Sequence, residues 1–456
     1  MESYPPPSSR DRSATDIAIA KHIRSIDHSN CELYSEDGFW VFDLDIIRDQ
    51  LEKWRRNLPL VRLFYAVKSN PSLQLLTLLA NSNIGFDCAT HAELSTILSL
   101  SVPPKDIIYA NPCKAPSHLR YASTTGVTKT TFDNATELRK IKTYHPTAEC
   151  VLRIKLPSST IHTTTISNME GEEEGEKVVG LYELSKKYGV TLQESRELLA
   201  LARKLELNVV GVAFHIGSGQ KDYTKYASYI TEARKFFALA GEFGYTFTLL
   251  DIGGGFMDDN FEIAAETINA ALEAEFGGLI TEGSVEVIAE PGRYVAHAAF
   301  TMATSVIAVR EEDEGDSGKR MIYLADGIYS RINPAMWPGE LTAMTTAVRG
   351  RRIEALARED VDGSGSSASS DSGIEVKDIH RDEDEVGMEM KGELREYVVW
   401  GPTCDSGDMV YGSAWYPGRI EIGDWLVFKQ LGAYSINLGN SFNGFRHDAK
   451  IYCVNQ

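Results

Sequence analysis

Long hydrophobic runs are missing from this 456-residue chain. No apolar stretch approaches the roughly 20 residues that a membrane-spanning helix needs, so no membrane partner is expected. Cysteine is sparse and scattered. Cys31, Cys88, Cys113, Cys150, Cys404 and Cys453 stand apart, with no CxxC pair among them. Such spacing supports neither a zinc site nor a disulfide framework, so no metal is expected, and reduced thiols in a cytoplasmic setting fit it. Positive charge is in deficit as well. A formal net charge of −19 argues against nucleic acid as a partner, because a phosphate backbone calls for a basic stripe. The opening MESYPPPSSRDRS has no apolar core of the kind a secretory signal carries, and residues 1–30 read as a disordered tail. No internal repeat stands out.

A hydrophobic fraction of 43% is ordinary for a globular protein and ample for a large core. Over about 40–298, short apolar runs alternate with segments of helical period. LFYAV, GFDCA, IIYAN, KTTFD, CVLRI, VVGVAFHI, FTLLDIGGGF and VEVIAEPGR read as eight buried strands. Between them, stretches such as SLQLLTLLANS and TLQESRELLALARKLEL carry apolar residues at i, i+3, i+4 and i+7. Repeated βα units of this kind predict an α/β fold, a (β/α)8 barrel whose active site lies at the carboxyl ends of the strands. After about residue 300 the pattern turns to strands and turns, which with 31–39 predicts a β-rich second domain over 299–456. Three polar segments interrupt these patterns: an acidic loop at 168–177, a hairpin insertion at 311–319, and a Ser/Gly-rich acidic insertion near 357–391 that reads as disordered.

Polar residues collect where the strands end. Lys68 follows an apolar run in FYAVKSN, where desolvation would lower its pKa toward the nucleophilic amine that a Schiff base requires. His215 and Ser218 sit in FHIGSG, a strand emptying into a turn whose N–H groups and hydroxyl suit a phosphate. Gly253, Gly254 and Gly255 follow another strand and would let the backbone approach an anion closely. EPGR adds Arg293, which can hold a phosphate bidentately, and Glu290, which can pair with a ring nitrogen. In the second domain, WGPTCDSGD sets a thiol, Cys404, beside a cation-binding carboxylate, Asp405, and GAYS puts Tyr434 in a loop. Singly, each signal has a plain reading: a lysine past a strand snorkels, a GGG is a βα turn, an EPGR is a local ion pair. Together they are the parts a pyridoxal-phosphate site requires.

In order along the chain, YAVKSN, GFDCAT, IIYANPCK, FHIGSG, LLDIGGGF, EPGRY, WGPTCD and the closing GAY and FNGF resemble the eukaryotic ornithine decarboxylase family from about Cys31 to Tyr452. The resemblance implies an alanine-racemase-like barrel joined to a β domain, pyridoxal 5'-phosphate as cofactor, and a homodimer with shared active sites. It implies that Lys68 carries the cofactor, His215 stacks on its ring and Glu290 keeps the ring nitrogen protonated. Ser218, the amides of Gly253 to Gly255, Arg293 and Tyr434 would hold phosphate, with Asp87, Glu93 and Arg153 around the lysine and ring. Cys404 would return a proton to the carbon that loses CO2, and Asp405 would bind the substrate's distal amine, both from the partner subunit.

One stretch departs from the family pattern. Where the family has an aromatic-Asp-His triplet whose Asp also binds the distal amine, this chain has Trp337-Pro338-Gly339, and Ser330-Arg331 replaces Gly-Ser. Trp337 would therefore face the far end of the substrate, with Glu340 the nearest replacement carboxylate. The expected activity is decarboxylation of L-ornithine or an ornithine-like amino acid, putrescine being the product from ornithine. The alternatives are a decarboxylase of specialised metabolism acting on a bulkier or N-substituted amino acid, and a catalytically dead regulator.

Overall fold

The computed structural model describes residues 13–26, 32–156, 187–218, 222–259, 261–311, 320–332, 344–350, 352–353, 378–379, 385–446, 448 and 450–455. Two compact units emerge, one from 48–297 and one from 1–47 with 298–456.

The first unit is a closed parallel barrel of eight strands. They are β2 (Val61–Ala66), β3 (Gly85–Cys88), β4 (Ile107–Tyr109), β5 (Lys129–Phe132), β6 (Glu149–Arg153), β7 (Asn208–Ala213), β8 (Leu249–Asp251) and β9 (Glu286–Ala289). Pairing of β9 with β2, Val61 opposite Val287, closes the ring. These are the eight runs expected from the sequence. Strands buried on both faces read as unbroken apolar stretches, which is why the pattern was visible. Phe64, Ile108, Val151, Ala213, Leu249 and Ile288 fill the barrel interior. Helices α3 (Leu73–Asn81), α4 (His91–Ser99), α5 (Pro116–Thr125), α6 (Ala135–Tyr144), α7 (Leu192–Lys204), α8 (Thr224–Glu242), α9 (Phe261–Thr281) and the short α10 (Arg293–Ala296) follow the strands in turn. Their starts are specified locally. Thr90 and Asn134 accept from the third helical N–H of α4 and α6, and Thr191 with Glu194 forms a complete capping box on α7.

The second unit is built on an eight-stranded sheet. It contains β1 (Phe39–Asp43), β10 (Phe300–Glu311), β11 (Arg320–Leu324), β12 (Thr345–Val348), β15 (Leu394–Trp400), β16 (Met409–Pro417), β17 (Trp425–Phe428) and β18 (Ile451–Val454), with a separate two-residue ladder of β13 (Arg352–Ile353) and β14 (Asp378–Ile379). β1 lies between β10 and β18, so residues 40–47, expected in the barrel, belong here. Helix α2 (Leu44–Asn57) follows β1.

The expected tail over 1–30 is corrected in part. Ala14–Ser25 is helix α1, capped by the Ser13 side chain on the Asp16 N–H. Its Ile19, Ala20 and Ile23, with Ile26 beyond, are buried, and the isoleucines pack on Phe39, Val41, Trp425 and Val427 of the sheet. The end of the expected 357–391 insertion is corrected too. Val386 and Met390 are buried, and Gly387 donates to the Arg349 carbonyl at 2.7 Å. Val386 and Met390, four apart, turn inward while Met388 and Glu389 between them stay exposed. The 168–177 loop, 312–319 and the rest of 357–384 apart from β14 lie outside the described residues.

Candidate active site

The barrel residues singled out in the sequence lie at the carboxyl end of a strand, in the turn after it or, for Glu93 and Arg293, in the first turn of the helix that follows. Lys68 sits in a single 3-10 turn after β2, Asp87 near the end of β3, Arg153 at the end of β6, and Glu290 directly after β9. Lys68 Nζ meets Asp87 at 2.5 Å; the lysine is 39% exposed while the carboxylate is fully buried. Asp87 thus holds the amine at the mouth of the barrel rather than inside the wall. Glu93, in the first turn of α4, accepts from the Ala89 N–H at 2.5 Å. Burial pushes its carboxyl up, with Asp87 adding to the effect and the Ala89 hydrogen bond opposing it.

His215 is fixed by its own turn. The Gly217 N–H donates to His215 Nδ1 at 2.9 Å, which assigns the ring proton to Nε2. Burial, then the charges of Arg153 and Lys68, holds its pKa well below the usual value, so the ring is neutral in the physiological range. The glycine run wraps around this ring. Gly253 and Gly255 have φ of +63° and +121°, and a Cβ on Gly254 would stand 2.8 Å from both His215 Nε2 and the Glu290 carbonyl oxygen. Only glycine can bring the backbone this close. Arg293 Nε donates to Ser218 Oγ at 3.3 Å, and a Cβ on Gly255 would lie 2.8 Å from the Gly217 carbonyl oxygen. The guanidinium, the hydroxyl and the glycine backbone therefore converge on one place.

Asp251 was missed as a single residue, hidden at the head of the glycine motif. It is fully buried at the end of β8, and its Oδ1 accepts the Gly253 N–H at 2.8 Å. Burial pushes its pKa up to about 6, and burial with the charges of Asp251 and Asp87 pushes Glu290 well above the carboxylate range. Glu290 Oε1 and Asp251 Oδ2 are buried with no donor. Burial, and the charge of Asp251 on Glu290, disfavour ionising both carboxyls together. A protonated ring nitrogen would give Glu290 Oε1 the donor it lacks.

The second unit holds Cys404, Asp405 and Tyr434. Cys404 is an exposed, unbridged thiol whose backbone N–H donates to Asn443 Oδ1 at 3.0 Å. Asp405 accepts the Tyr329 hydroxyl on Oδ2 and the Gly407 N–H on Oδ1 at 3.1 Å. Tyr434 has a left-handed backbone, φ +57°. The Ser330-Arg331 departure is turned inward. Ser330 Oγ donates to Asp326 at 3.0 Å and the Arg331 guanidinium pairs with the same buried carboxylate. These two side chains therefore serve the β unit's interior. Trp337, Pro338, Gly339 and Glu340 lie outside the described residues. Among the described residues no helix is long and apolar enough to cross a membrane.

Comparison with known proteins agrees with this arrangement. The family described as "Pyridoxal-dependent decarboxylase, pyridoxal binding domain" matches residues 44–297. The chain is 38% identical to the ornithine decarboxylase of Schizosaccharomyces pombe, over 97% of this chain and 89% of that one. It is 35% identical to antizyme inhibitor 2 of Xenopus laevis, over 92% and 81%. Among solved structures, the Paramecium bursaria Chlorella virus arginine decarboxylase bound to agmatine is 27% identical, with a TM-score of 0.72 over 93% of this chain and 98% of that one. An amine-bearing lysine, a neutral imidazole, an acceptor carboxylate and an arginine-glycine cradle at one barrel mouth fit pyridoxal phosphate, and with these matches the chain belongs to the pyridoxal-dependent decarboxylase family.

Proposed function

We propose that this carboxy-lyase removes CO2 from L-ornithine or an ornithine-like L-amino acid and releases the corresponding amine. The observation that carries the reading is the Lys68-Asp87 pair at the barrel mouth, with neutral His215 and the Glu290-Asp251 pair buried near it. Bound pyridoxal phosphate supplies an electron sink for the pair of electrons that departing CO2 leaves behind. The chain's own residues do the rest. Lys68 attaches the cofactor, and Asp87 holds its amine in position. Glu290 keeps a proton on the ring nitrogen, and His215 packs on the ring face. Ser218, the amides of Gly253, Gly254 and Gly255, Arg293 and Tyr434 hold the phosphate, which stops the ring turning and keeps the scissile bond aligned. Arg153 balances the carboxylates. Cys404 delivers a proton to the substrate's Cα, and Asp405 receives the far-end amine.

In this reading Cys404 and Asp405 act on the barrel of a partner subunit in a homodimer. Exposed apolar side chains in the segment that braces their loop support it: Phe442 is 44% exposed, Leu438 44% and Phe445 38%. Three large apolar side chains left exposed within eight residues of chain suit a contact site. Unbridged Cys88, Cys113, Cys150, Cys404 and Cys453 support a cytoplasmic location.

A second reading keeps the chemistry and changes the substrate. Trp337-Pro338-Gly339 removes one of two carboxylates expected at the far end, which favours an amino acid that is bulkier or N-substituted there. Similarity to an antizyme inhibitor raises a regulatory reading, but Lys68, His215, Arg293 and Cys404 are all retained. The deciding experiment screens purified protein against L-ornithine, L-lysine, L-arginine and N-alkylated analogues for CO2 release. A yellow protein that releases CO2 supports decarboxylation, and the preferred amino acid chooses between the first two readings. A colourless protein inert toward the whole panel would favour the regulator.

A further inference from the structure

The loop that carries Cys404 and Asp405 is held by three separate contacts within the β unit. Buried Asp408 accepts the Thr403 N–H at 3.0 Å and the Ile328 N–H at 2.9 Å, which ties the GPTCD loop to the DGIY turn. Asn443, at φ +55°, accepts from the Cys404 N–H. Tyr329 donates its hydroxyl to Asp405. The Tyr329 ring is itself fixed, lying against Phe442 with centroids 4.9 Å apart, and its carbonyl accepts the Asn440 N–H at 2.8 Å.

We propose that Tyr329 is a positioning residue for substrate choice, holding the Asp405 carboxylate in the orientation that meets the substrate's far-end ammonium. The proposal rests on the reading of Asp405 as the amine-binding group. An aspartate on a partly exposed loop has two free torsions, and a charged hydrogen bond forms only when an oxygen stands within about 2.7–2.9 Å of the nitrogen. Tyr329 removes that freedom. It does so as a neutral donor, so the carboxylate keeps its full negative charge; a lysine or arginine partner would cancel it. Among the described residues Asp405 has no cationic partner. Each oxygen accepts one bond, from Tyr329 or Gly407, and each retains a second lone pair for an incoming ammonium. With no aspartate in the Trp337-Pro338-Gly339 triplet, Asp405 carries more of the amine's recognition than it would in a two-carboxylate site. The Tyr329 hydrogen bond also holds the Asp405 carboxyl below its usual range, so it stays ionised as the pH falls.

The test uses the holoenzyme, with steady-state kinetics on L-ornithine and inhibition by L-norvaline, which has the same carbon chain and no far-end amine. Tyr329→Phe keeps the ring against Phe442 and removes only the hydroxyl. KM for ornithine should rise about 3- to 10-fold, the worth of one hydrogen bond, with a smaller change in kcat. The norvaline inhibition constant should stay put, and the acidic limb of the KM profile should move to higher pH. Tyr329→His, which retains a donor, should recover part of the loss. Asp405→Asn is run alongside. If Asp405→Asn leaves the ornithine KM unchanged, the amine-binding reading falls and the proposal with it. If Asp405→Asn raises KM and neither Tyr329 variant does, the proposal alone is overturned. Equal losses for ornithine and norvaline, or loss of the yellow colour in both Tyr329 variants, would assign Tyr329 to the fold and overturn the proposal as well.

Discussion

At the barrel mouth, Asp87, Asp251, Glu290 and His215 are held by neighbours from the same unit, and burial displaces the pKa of Asp251, Glu290 and His215 from their ordinary values. In the β unit, Cys404 is exposed and Asp405 partly so, and their few contacts fix the loop's shape without removing water. In the proposed function both regions carry chemistry of one reaction, yet only the barrel mouth buries its ionisable groups. The buried carboxylate pair has its ionisation displaced by the fold itself, whereas the thiol and carboxylate of the β unit stay in contact with water until something covers them. The contrast teaches that the barrel mouth is preorganised within one chain, while the proposed proton donor and amine acceptor would be completed by a second surface. That is the physical content of the dimer proposal.

The largest effect should come from separating the two regions genetically. Lys68→Ala should lower turnover by at least about 10³-fold, since the covalent attachment is lost. Cys404→Ala should lower it by roughly 10²-fold, the usual worth of a positioned proton donor. Mixing the two variants, with subunit exchange verified, should restore activity toward roughly a quarter of wild type, because a hybrid dimer has one site with both residues intact. No restoration would mean that each chain completes its own site.

A smaller effect is expected inside the cradle. Gly254→Ala would put a methyl group 2.8 Å from His215 Nε2 and the Glu290 carbonyl oxygen. Cofactor affinity, read from loss of the yellow absorbance on dilution, should fall by about 10-fold or more, the cost of an overpacked site. An unaltered affinity would show that the cradle has room that the close approach denies.

The smallest effect lies away from both regions. His22 on α1 packs against Phe39 with ring centroids 4.2 Å apart and bonds the Tyr452 hydroxyl through Nδ1 at 3.0 Å. Burial, with Lys450 nearby, lowers its pKa from 6.5 to about 4. The undocked helix therefore takes up a proton at a higher pH than the docked one does. The stability His22 contributes is present in full above about pH 6.5 and is lost as the pH falls through about 4. Proteolysis within 14–25 should speed up over that window, and His22→Gln should flatten the dependence. A rate that does not change with pH in the wild-type chain would contradict the assignment.

How much of this was legible in the sequence follows from the range of the contacts. The eight barrel strands are local patterns, apolar runs that could be read in place, and Lys68, His215, Glu290 and Arg293 could be read at their ends, whereas Asp87, Glu93 and Arg153 came only from the family resemblance. Strand β16 was not, because it is an edge strand that alternates exposed Met409, Ser413 and Trp415 with buried neighbours and includes Gly412. Helix α1 carried a readable signal, Ser13 before Asp16 and isoleucines at 19, 23 and 26, but the Pro- and Ser-rich start masked it. Tyr329, Asp408 and Asn443 were not singled out, although Asp408 ends WGPTCDSGD and Asn443 stands in FNGF. Their partners lie 76, 80 and 39 residues away along the chain, and no periodicity spans that distance. Asp251 sat inside a motif whose glycines drew the reading, though an aspartate ending an apolar strand is a signal in itself.

The central claim, that the barrel mouth around Lys68 is where the cofactor is carried, is tested most directly by borohydride reduction of the purified holoenzyme followed by peptide mass mapping. The account predicts a phosphopyridoxyl group on Lys68 and on no other lysine. Finding it on buried Lys114, on Lys105, or nowhere in a protein that is yellow would contradict it.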